Sequence, residues 1–281
     1  MNGNDPVKLV FDGEREYPVI GQGNTAEIRD CSETVILKLF RDQMPRQAAE
    51  FEWRCADAIS KVYSDTPRTF GMVDYKNRCG ILYEKVTGTD MIQEALRHPF
   101  RLGRYGKIMA QLQLKMHTVD IQLAQTLKEK LTREITVASG LTEAEKAKAL
   151  SALKELPEGT KLCHNDFHPG NIMMTGKGFQ VIDWLTSAGG APAADVARTL
   201  LLIRFGEPMH ISTLKRLLIR SGMRVLRHSY LKQYLKNSSV KLKEIREWML
   251  PVAAARLSEW LTQHEREKLI RFIRKEEGVG K

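Results

Sequence analysis

The sequence predicts an α+β protein in two parts, a small antiparallel β-sheet lobe with one helix followed by a large, mainly helical lobe. Three observations predict it. Short apolar or alternating runs, separated by Gly, Pro, Asn and Asp, crowd the first 85 residues. A single stretch among them, residues 46–62, carries its apolar residues at helical spacing. After VTGTD at 86–90 the texture turns helical and stays so for most of the remaining chain. At 281 residues and 32.0 kDa the chain is near the size at which one core divides into two. The expected division is 1–86 and 87–281.

The expected strands of the first part are VKLVF (7–11), AEIRDC (26–31), TVILKLF (34–40), RTFGMVDY (68–75) and CGILYEK (79–85). In the helix over 46–62, Phe51, Cys55, Ile59 and Val62 are spaced by four, four and three residues and make one apolar stripe. Helices are expected next over about 90–97, 100–118, 120–138 and 142–154. Thr142 followed by Glu145 is a capping box that starts the last of them. KLCH then reads as a short strand, NIMM and FQVID as two more around the Gly-rich turn TGKG, and from Ala193 onward the pattern is helical.

With 42% hydrophobic and 28% charged residues, the composition is that of an ordinary globular protein. Apolar runs such as TLLLI at 199–203 are far shorter than the roughly 20 residues of a membrane span. The opening MNGNDPVKLVF has neither the charged nor the apolar part of a secretory leader, so the expected location is the cytoplasm, with no membrane partner. Cys31, Cys55, Cys79 and Cys163 form no CxxC pair, which argues for buried thiols over a zinc site or a disulfide framework. The formal charge of +10 is concentrated at the end of the chain. Residues 211–281 hold 17 Lys and Arg against 7 Asp and Glu, leaving 27 of each in the rest. Solvated helix faces account for this, and so would attraction to nucleic acid or an acidic substrate.

Residues 164–171 read HNDFHPGN, and VIDW follows at 181–184. Moving the terminal phosphoryl group of a nucleotide requires cations on the phosphate oxygens and one carboxylate that orients or deprotonates the attacking hydroxyl. Asp166 can be that carboxylate. Magnesium takes oxygen ligands, and Asn171 and Asp183 can supply them. Taken alone, HxDxxxxN also fits any polar loop. Two distant features add to it. GQGN at 21–24 puts small residues where backbone amides can approach phosphates, although such a turn is also common without a ligand. Lys38 sits inside the apolar run VILKLF, where its charge needs a partner, a phosphate, or an edge from which to snorkel into water.

The strings LCHNDFHPGNIMM and FQVIDW resemble the catalytic loop and metal-binding aspartate of the aminoglycoside phosphotransferase and choline kinase superfamily, whose small-molecule kinases have a bilobal protein-kinase-like fold. The resemblance extends over nearly the whole chain. It implies Asp166 as catalytic base, Asn171 and Asp183 as Mg2+ ligands, and ATP or GTP as phosphate donor. Many aminoglycoside kinases carry Gly between the loop His and Asp, whereas Asn165 is similar to the choline kinase version. In such folds the strand lysine pairs with a helix glutamate and holds nucleotide phosphates. Glu50 and Glu52 are both candidates. Glu52 is the choice, because Cys55, Ala56 and Ile59 follow it at three, four and seven residues and turn it inward. GILYEKVTG at 80–88 resembles the connector between lobes, which implies adenine contacts to the backbone around Glu84 to Val86; a surface role for the Glu84 side chain is equally open. The nucleotide-binding set is therefore Gly21, Gly23, Asn24, Lys38, Glu52, Glu84 and Val86.

His164 and His168 read as loop-holding residues, since magnesium selects oxygen over imidazole. Asp195 resembles an acid that caps the following helix or braces the loop. The resemblance implies a small hydroxyl-bearing compound as acceptor and a pocket built mostly after Ala193. There Trp248, Trp260 and Tyr230 could either cage a quaternary ammonium or simply pack helices. The basic end of the chain favours a neutral or anionic acceptor over a polycationic one. Three alternatives are weighed. A protein kinase needs a long peptide platform after the metal aspartate, but only eleven residues separate Asp183 from Asp195. A nucleotide-binding regulatory protein is disfavoured by the joint presence of Lys38, Asp166, Asn171 and Asp183. A nucleic-acid binder is disfavoured by the absence of zinc-finger, RNP or helix-turn-helix patterns.

Overall fold

A computed structural model describes residues 11–23, 25–176, 178–206 and 213–278, with the side chains of 213–220 and 276–278 left aside. The elements in chain order are β1 (Val19–Gln22), β2 (Ala26–Asp30), β3 (Val35–Phe40), α1 (Arg46–Val62), β4 (Thr69–Tyr75), β5 (Arg78–Glu84), β6 (Gly88–Asp90) and α2 (Met91–Arg97). There follow α3 (Leu102–Met116), α4 (Leu127–Val137), α5 (Glu143–Glu155), β7 (Lys161–Cys163), β8 (Ile172–Thr175), β9 (Gly178–Val181) and β10 (Ala188–Gly190). The last four are α6 (Pro192–Phe205), α7 (Thr213–Lys236), α8 (Leu242–Ala255) and α9 (Gln263–Gly278). The chain forms two compact units, one of the described residues up to Gly88 with Thr175–Leu185, the other of Thr89–Met174 with the residues from Thr186 on.

In the first unit β1 to β5 make one antiparallel sheet in the order β1-β2-β3-β5-β4. Side chains alternate between the faces of a strand, so β3 sorts its residues. Val35, Leu37 and Leu39 join Tyr17, Tyr75 and Leu82 in an apolar cluster. Lys38 is sent to the opposite face, in register with Ile28 on β2 and Ile81 on β5. That face is covered by α1, whose buried residues are Ala49, Glu52, Cys55, Ala56 and Ile59. Gly80 lets β5 lie close to β3: a Cβ there would sit 2.5 Å from Leu37 Cδ1. The stripe expected on α1 is shifted, because Val62 is 51% exposed and buried Glu52 takes a place on the inner face.

The second unit is organised around α6, in which every residue from Ala193 to Leu201 is buried. Helix α8 packs on α6 and α7 on α3. Gly106 permits the second pairing, since a Cβ on it would lie 2.4 Å from the Leu226 carbonyl oxygen of α7. The short strands β7 and β10 pair antiparallel, Cys163 opposite Ala188, and frame the two ends of the segment that leads into α6.

Several expectations are corrected. The helix expected over 120–138 begins at Leu127: Asp120 is bridged to Lys161, and Thr126 with Glu129 forms a capping box that stops the helix from extending backward. Of the four cysteines only Cys55 and Cys163 are buried, although all four are free thiols. The cage of Trp248, Tyr230 and Trp260 does not form. Trp248 and Tyr230 are fully packed core residues, and Trp260 is 83% exposed. The strand expected at 7–11, apart from Phe11, and residues Asn24 and Lys177 lie outside the described residues. No helix of the described residues is long and apolar enough to cross a membrane.

Candidate active site

Two charged assemblies stand out, one in each unit. In the first, Lys38 Nζ lies 2.6 Å from Glu52 Oε1 and 3.1 Å from Asp183 Oδ1. The Tyr83 hydroxyl, on the same face of β5 as Ile81, donates to Glu52 Oε1 at 3.1 Å. Glu50 points elsewhere and pairs with Arg46. Burial disfavours the ammonium of Lys38, but the carboxylates of Asp183 and Glu52 outweigh that and hold its pKa above the usual lysine range. Glu52 bears the desolvation. Its carboxyl is pushed up by burial, with Lys38 offsetting only part of the effect, and among the described residues its Oε2 has no hydrogen-bond partner.

The segment around Asp183 is pinned within this unit. Val181 N–H donates to Asp65 O at 2.7 Å, and Trp184 Nε1 donates to Thr66 Oγ1 at 2.8 Å while its ring meets Tyr63 edge to face. Between these anchors Asp183 has φ of 68°, a left-handed conformation rare for a residue with a Cβ. Its side chain is nevertheless 42% exposed, so the strained backbone holds out a carboxylate rather than burying one.

In the second unit the loop between β7 and β8 carries Asp166 and Asn171. Asn171 Nδ2 donates to Asp166 O at 2.9 Å and to Asp166 Oδ2 at 3.1 Å. This turns the amide nitrogen toward Asp166 and directs the amide oxygen away. His168 Nδ1 accepts from Gly170 N–H at 3.0 Å, which leaves the ring hydrogen on Nε2, 3.6 Å from Asp166 Oδ2. Burial works to raise the Asp166 carboxyl. His168 foremost, with Arg198 and His164, outweighs it and holds the group well below the usual carboxylate range. Asp166 is therefore ionised at neutral pH, the state an acceptor of the hydroxyl proton needs.

The backbone of this loop hangs from Asp195, a fully buried residue in the first turn of α6. Its Oδ1 accepts from Asn165 N–H at 2.7 Å and its Oδ2 from His164 N–H at 3.2 Å and Gln113 Nε2 at 2.8 Å. His117 Nε2 lies 3.1 Å from the same oxygen, and its Nδ1 is 2.6 Å from the Tyr234 hydroxyl. Burial opposes the charge of Asp195, but His117, Gln113 and the Asn165 amide together depress its pKa. Of the two roles expected for Asp195, bracing is the one found. The N-cap of α6 is Ala191, without a side-chain cap. His117, Cys163 and Asp195 also lie close enough together to suggest a metal cage. Their atoms are already used in hydrogen bonds, and burial pushes the Cys163 thiol far from the thiolate a metal needs.

Sequence reasoning missed Arg198. Its Nε donates to Asn165 O at 2.8 Å, so Asp195 and Arg198 grip the two sides of one residue. Asn165 itself has φ of 60° and donates through Nδ2 to Thr186 O at 3.3 Å. The available signal was the i,i+3 spacing of Asp195 and Arg198 in an otherwise apolar helix, which puts two buried opposite charges on one side of it.

The other expected nucleotide residues are placed as follows. Gly21 lies within β1 opposite Ile28, and Gly23 N–H closes the following turn on Ala26 O at 2.8 Å. The Glu84 side chain takes Arg68 at 3.2 Å. The amides of Glu84 and Lys85 are used by Arg68 O and Thr34 O. Among the described residues no such partner is found for the Val86 amide. Asp183 in the first unit has a partly exposed carboxylate and Asn171 in the second an amide oxygen turned away from Asp166, both oxygen donors of the kind a hard cation takes.

Comparison with known proteins shows the fold and the family. Among curated proteins no sequence matches. Solved structures similar to this chain include a choline/ethanolamine kinase family protein from Mesorhizobium loti, 13% identical, with a TM-score of 0.58 over 95% of this chain and 88% of that one. The amicoumacin kinase hAmiN in complex with AMP-PNP, Ca2+ and Ami is 11% identical, with a TM-score of 0.60 over 94% and 88%. An aminoglycoside phosphotransferase with ADP bound is 14% identical, with a TM-score of 0.54 over 93% and 92%. At such identities the likeness is one of fold, the bilobal kinase-like fold. A family model, described as "Phosphotransferase enzyme family", matches residues 19–228, a span holding both charged assemblies; the chain belongs to that family.

Proposed function

We propose that this protein is a small-molecule kinase that transfers the terminal phosphate of ATP, or of GTP, to a hydroxyl group of a small acceptor in the cytoplasm. The observation that carries the reading is the ionised, partly exposed Asp166, fixed by Asn171 on a loop that Asp195 and Arg198 hold from behind. On this reading residues 1–86 bind the nucleotide and 87–281 carry the catalytic loop and acceptor pocket. Lys38, kept charged by Glu52, holds the nucleotide phosphates. Gly21, Gly23 and Asn24 lie against them, the two glycines letting the backbone come close, and the backbone from Glu84 to Val86 receives the base. Mg2+, when bound, neutralises charge on the phosphates, with Asn171 and Asp183 as its protein ligands.

Asp166 orients the acceptor hydroxyl and takes its proton. The acceptor oxygen forms its bond to the terminal phosphorus as the bond to the bridging oxygen breaks, and the nucleoside diphosphate leaves. Positioning supplies most of the acceleration, because little covalent chemistry falls to the protein. Lys38 has a second task on this reading. Its contact with Asp183 must loosen when phosphates arrive, which frees that carboxylate for the ion. A transfer assay with labelled ATP or GTP, Mg2+ and a panel of alcohols, sugars, amino alcohols and aminoglycosides tests it. Labelled product is expected from the wild type, and none above background from Asp166→Ala or Asp183→Ala. Transfer that survives both changes removes the mechanism.

A further inference from the structure

In the second unit α2 presents to water a stripe of the kind a helix normally buries. Ile92 is 44% exposed, Leu96 62%, and Phe100, just after the break in the helix at His98, is wholly exposed. Leu96 follows Ile92 by four residues, so the two share one face. Single exposed apolar residues are ordinary, but a run of them marks a contact surface. The helix itself is firmly held. Asp90 caps it through Gln93 N–H at 2.9 Å, Met91 is completely buried, and Glu94 accepts from Thr89 Oγ1 at 3.0 Å. The stripe begins beside the catalytic loop, since Ile92 Cδ1 lies 3.2 Å from where a Cβ on Gly170 would sit.

The charge around the stripe has one sign. Residues 91–116, which hold α2 and α3, carry five Lys and Arg and a single acid, Glu94. That acid is mostly turned inward and is taken up by Arg97 at 3.1 Å. Arg101, Arg104 and Lys107 are exposed. Helix α7, which packs on α3, carries seven Lys and Arg and no acid at all. It joins this surface at the start of α3, where a Cβ on Gly222 would lie 2.8 Å from Leu102 Cδ1 and Ser229 Oγ donates to Gly103 O at 2.6 Å. Between those two contacts Arg224 and Val225 are exposed. Arg227, further along α7, is repelled by Arg204 and Arg224, and no carboxylate of the described residues offsets them. Like charges gathered on one face destabilise a fold by self-repulsion, and a partner of opposite sign relieves it.

The partner has to be anionic over a broad area and apolar beneath it. A second copy of this face would meet the same cations. A nucleic acid would pair with the arginines but leave Ile92, Leu96 and Val225 in water. A bilayer with anionic headgroups meets both demands, because acyl chains receive the apolar side chains while the arginines stay at the phosphates. No helix of the described residues is long and apolar enough to cross a membrane, and a surface contact does not need one. We propose that the α2 stripe and the basic α3–α7 surface dock the protein on an anionic lipid bilayer. Ile92, Leu96 and Phe100 enter the boundary between headgroups and acyl chains, and Arg101, Arg104 and Arg224 pair with lipid phosphates. Docking brings the Gly170 end of the catalytic loop to the lipid surface.

The test is co-sedimentation of the full chain with vesicles of phosphatidylcholine alone and of phosphatidylcholine mixed with phosphatidylglycerol. Partition onto the anionic vesicles should exceed that onto the neutral ones by about tenfold or more and fall as salt is raised. Leu96→Ser combined with Phe100→Ser should lower it about tenfold, and Arg101→Glu combined with Arg104→Glu by at least about as much. All four side chains are exposed, so melting temperatures should stay near that of the wild type. Lys61→Glu combined with Lys243→Glu makes the same change of net charge on exposed residues of α1 and α8 and should leave partition nearly unchanged. The proposal is overturned by a wild type that does not sediment with anionic vesicles or sediments equally with both kinds. It is also overturned by partition that ignores the Leu96 and Phe100 changes, or that falls as far in the α1 and α8 pair. A concentration-dependent dimer abolished by Phe100→Ser would assign the face to a second copy instead, and tighter binding of a single-stranded oligonucleotide through Arg101 and Arg104 would assign it to nucleic acid; either result overturns the bilayer.

Discussion

The Lys38 assembly and the catalytic loop solve the same problem, charge near a buried backbone, in opposite ways. At Lys38 one ammonium serves two carboxylates, Glu52 Oε2 has no partner among the described residues, and Asp183 is held out to solvent on a strained backbone. In the loop, Asp195 alone receives two backbone amides, a glutamine and a histidine, and Arg198 closes the other side of Asn165. The first assembly leaves one carboxylate oxygen unmatched and another carboxylate in water, and on the kinase reading it is completed only when Mg2+ and the nucleotide arrive. The second is complete before anything binds, which is the condition for a reacting group that must not move.

The contrast is broken or sharpened by substitution. The largest effect is expected at Asp166: Asp166→Ala should cost about 10²- to 10⁴-fold in kcat, the usual contribution of a positioned proton acceptor, with the melting temperature little changed. Asp195→Ala should instead act on the fold, losing about 3–5 kcal/mol of unfolding free energy because it leaves His117 and two loop amides buried without their acceptor. The milder Asp195→Asn tests the charge. A depressed folded pKa means the carboxylate stabilises the protein above its unfolded pKa and ceases to as the pH falls through the folded value. The deficit of Asp195→Asn should therefore be full at neutral pH and shrink as the pH drops below about 4, read from denaturant midpoints.

Lys38→Met leaves Glu52 buried without its cation, and Glu52 already has a raised pKa. A carboxyl whose folded pKa is raised gives a fold that gains stability as the pH falls and the group takes up a proton. The melting temperature of Lys38→Met should thus rise relative to wild type between about pH 7 and 5, and adding Glu52→Gln should abolish that dependence. Glu50→Ala, two residues before Glu52 and on the exposed pair with Arg46, should change neither stability nor nucleotide affinity. The smallest expected effect is at His168. Losing its ring in His168→Asn removes the main influence that depresses Asp166, so the acid limb of kcat/KM should move to higher pH.

Much of this was legible in the sequence because it depends on local pattern. The alternation in VILKLF puts Lys38 on one face and Leu37 and Leu39 on the other. The spacing from Glu52 to Cys55, Ala56 and Ile59 chose the right partner for it. Both rest on periods of two and 3.6 residues that any strand or helix obeys. What stayed hidden is what folds together from a distance. Gln113, His117, Tyr234 and Arg198 reach the loop from three helices, and nothing in their neighbours announces it. The aromatic cage failed for the same reason, since helical spacing does not say whether Trp248 faces a ligand or a core. Asn165 changes meaning most. As a letter it resembled one family version of the loop over another. In the structure it occupies a left-handed backbone position that Gly or Asn fills readily, so it reports the shape of the loop rather than the identity of the acceptor.

The central claim is that nucleotide binding and chemistry reside in separate assemblies. Calorimetric titration of Mg2+-ATP into wild type, Asp166→Ala and Lys38→Met, with turnover measured on the same samples, tests it most directly. Asp166→Ala should bind the nucleotide as wild type does and fail to turn over, while Lys38→Met should lose affinity. Wild-type turnover by Asp166→Ala, or undiminished binding by Lys38→Met, would contradict the account.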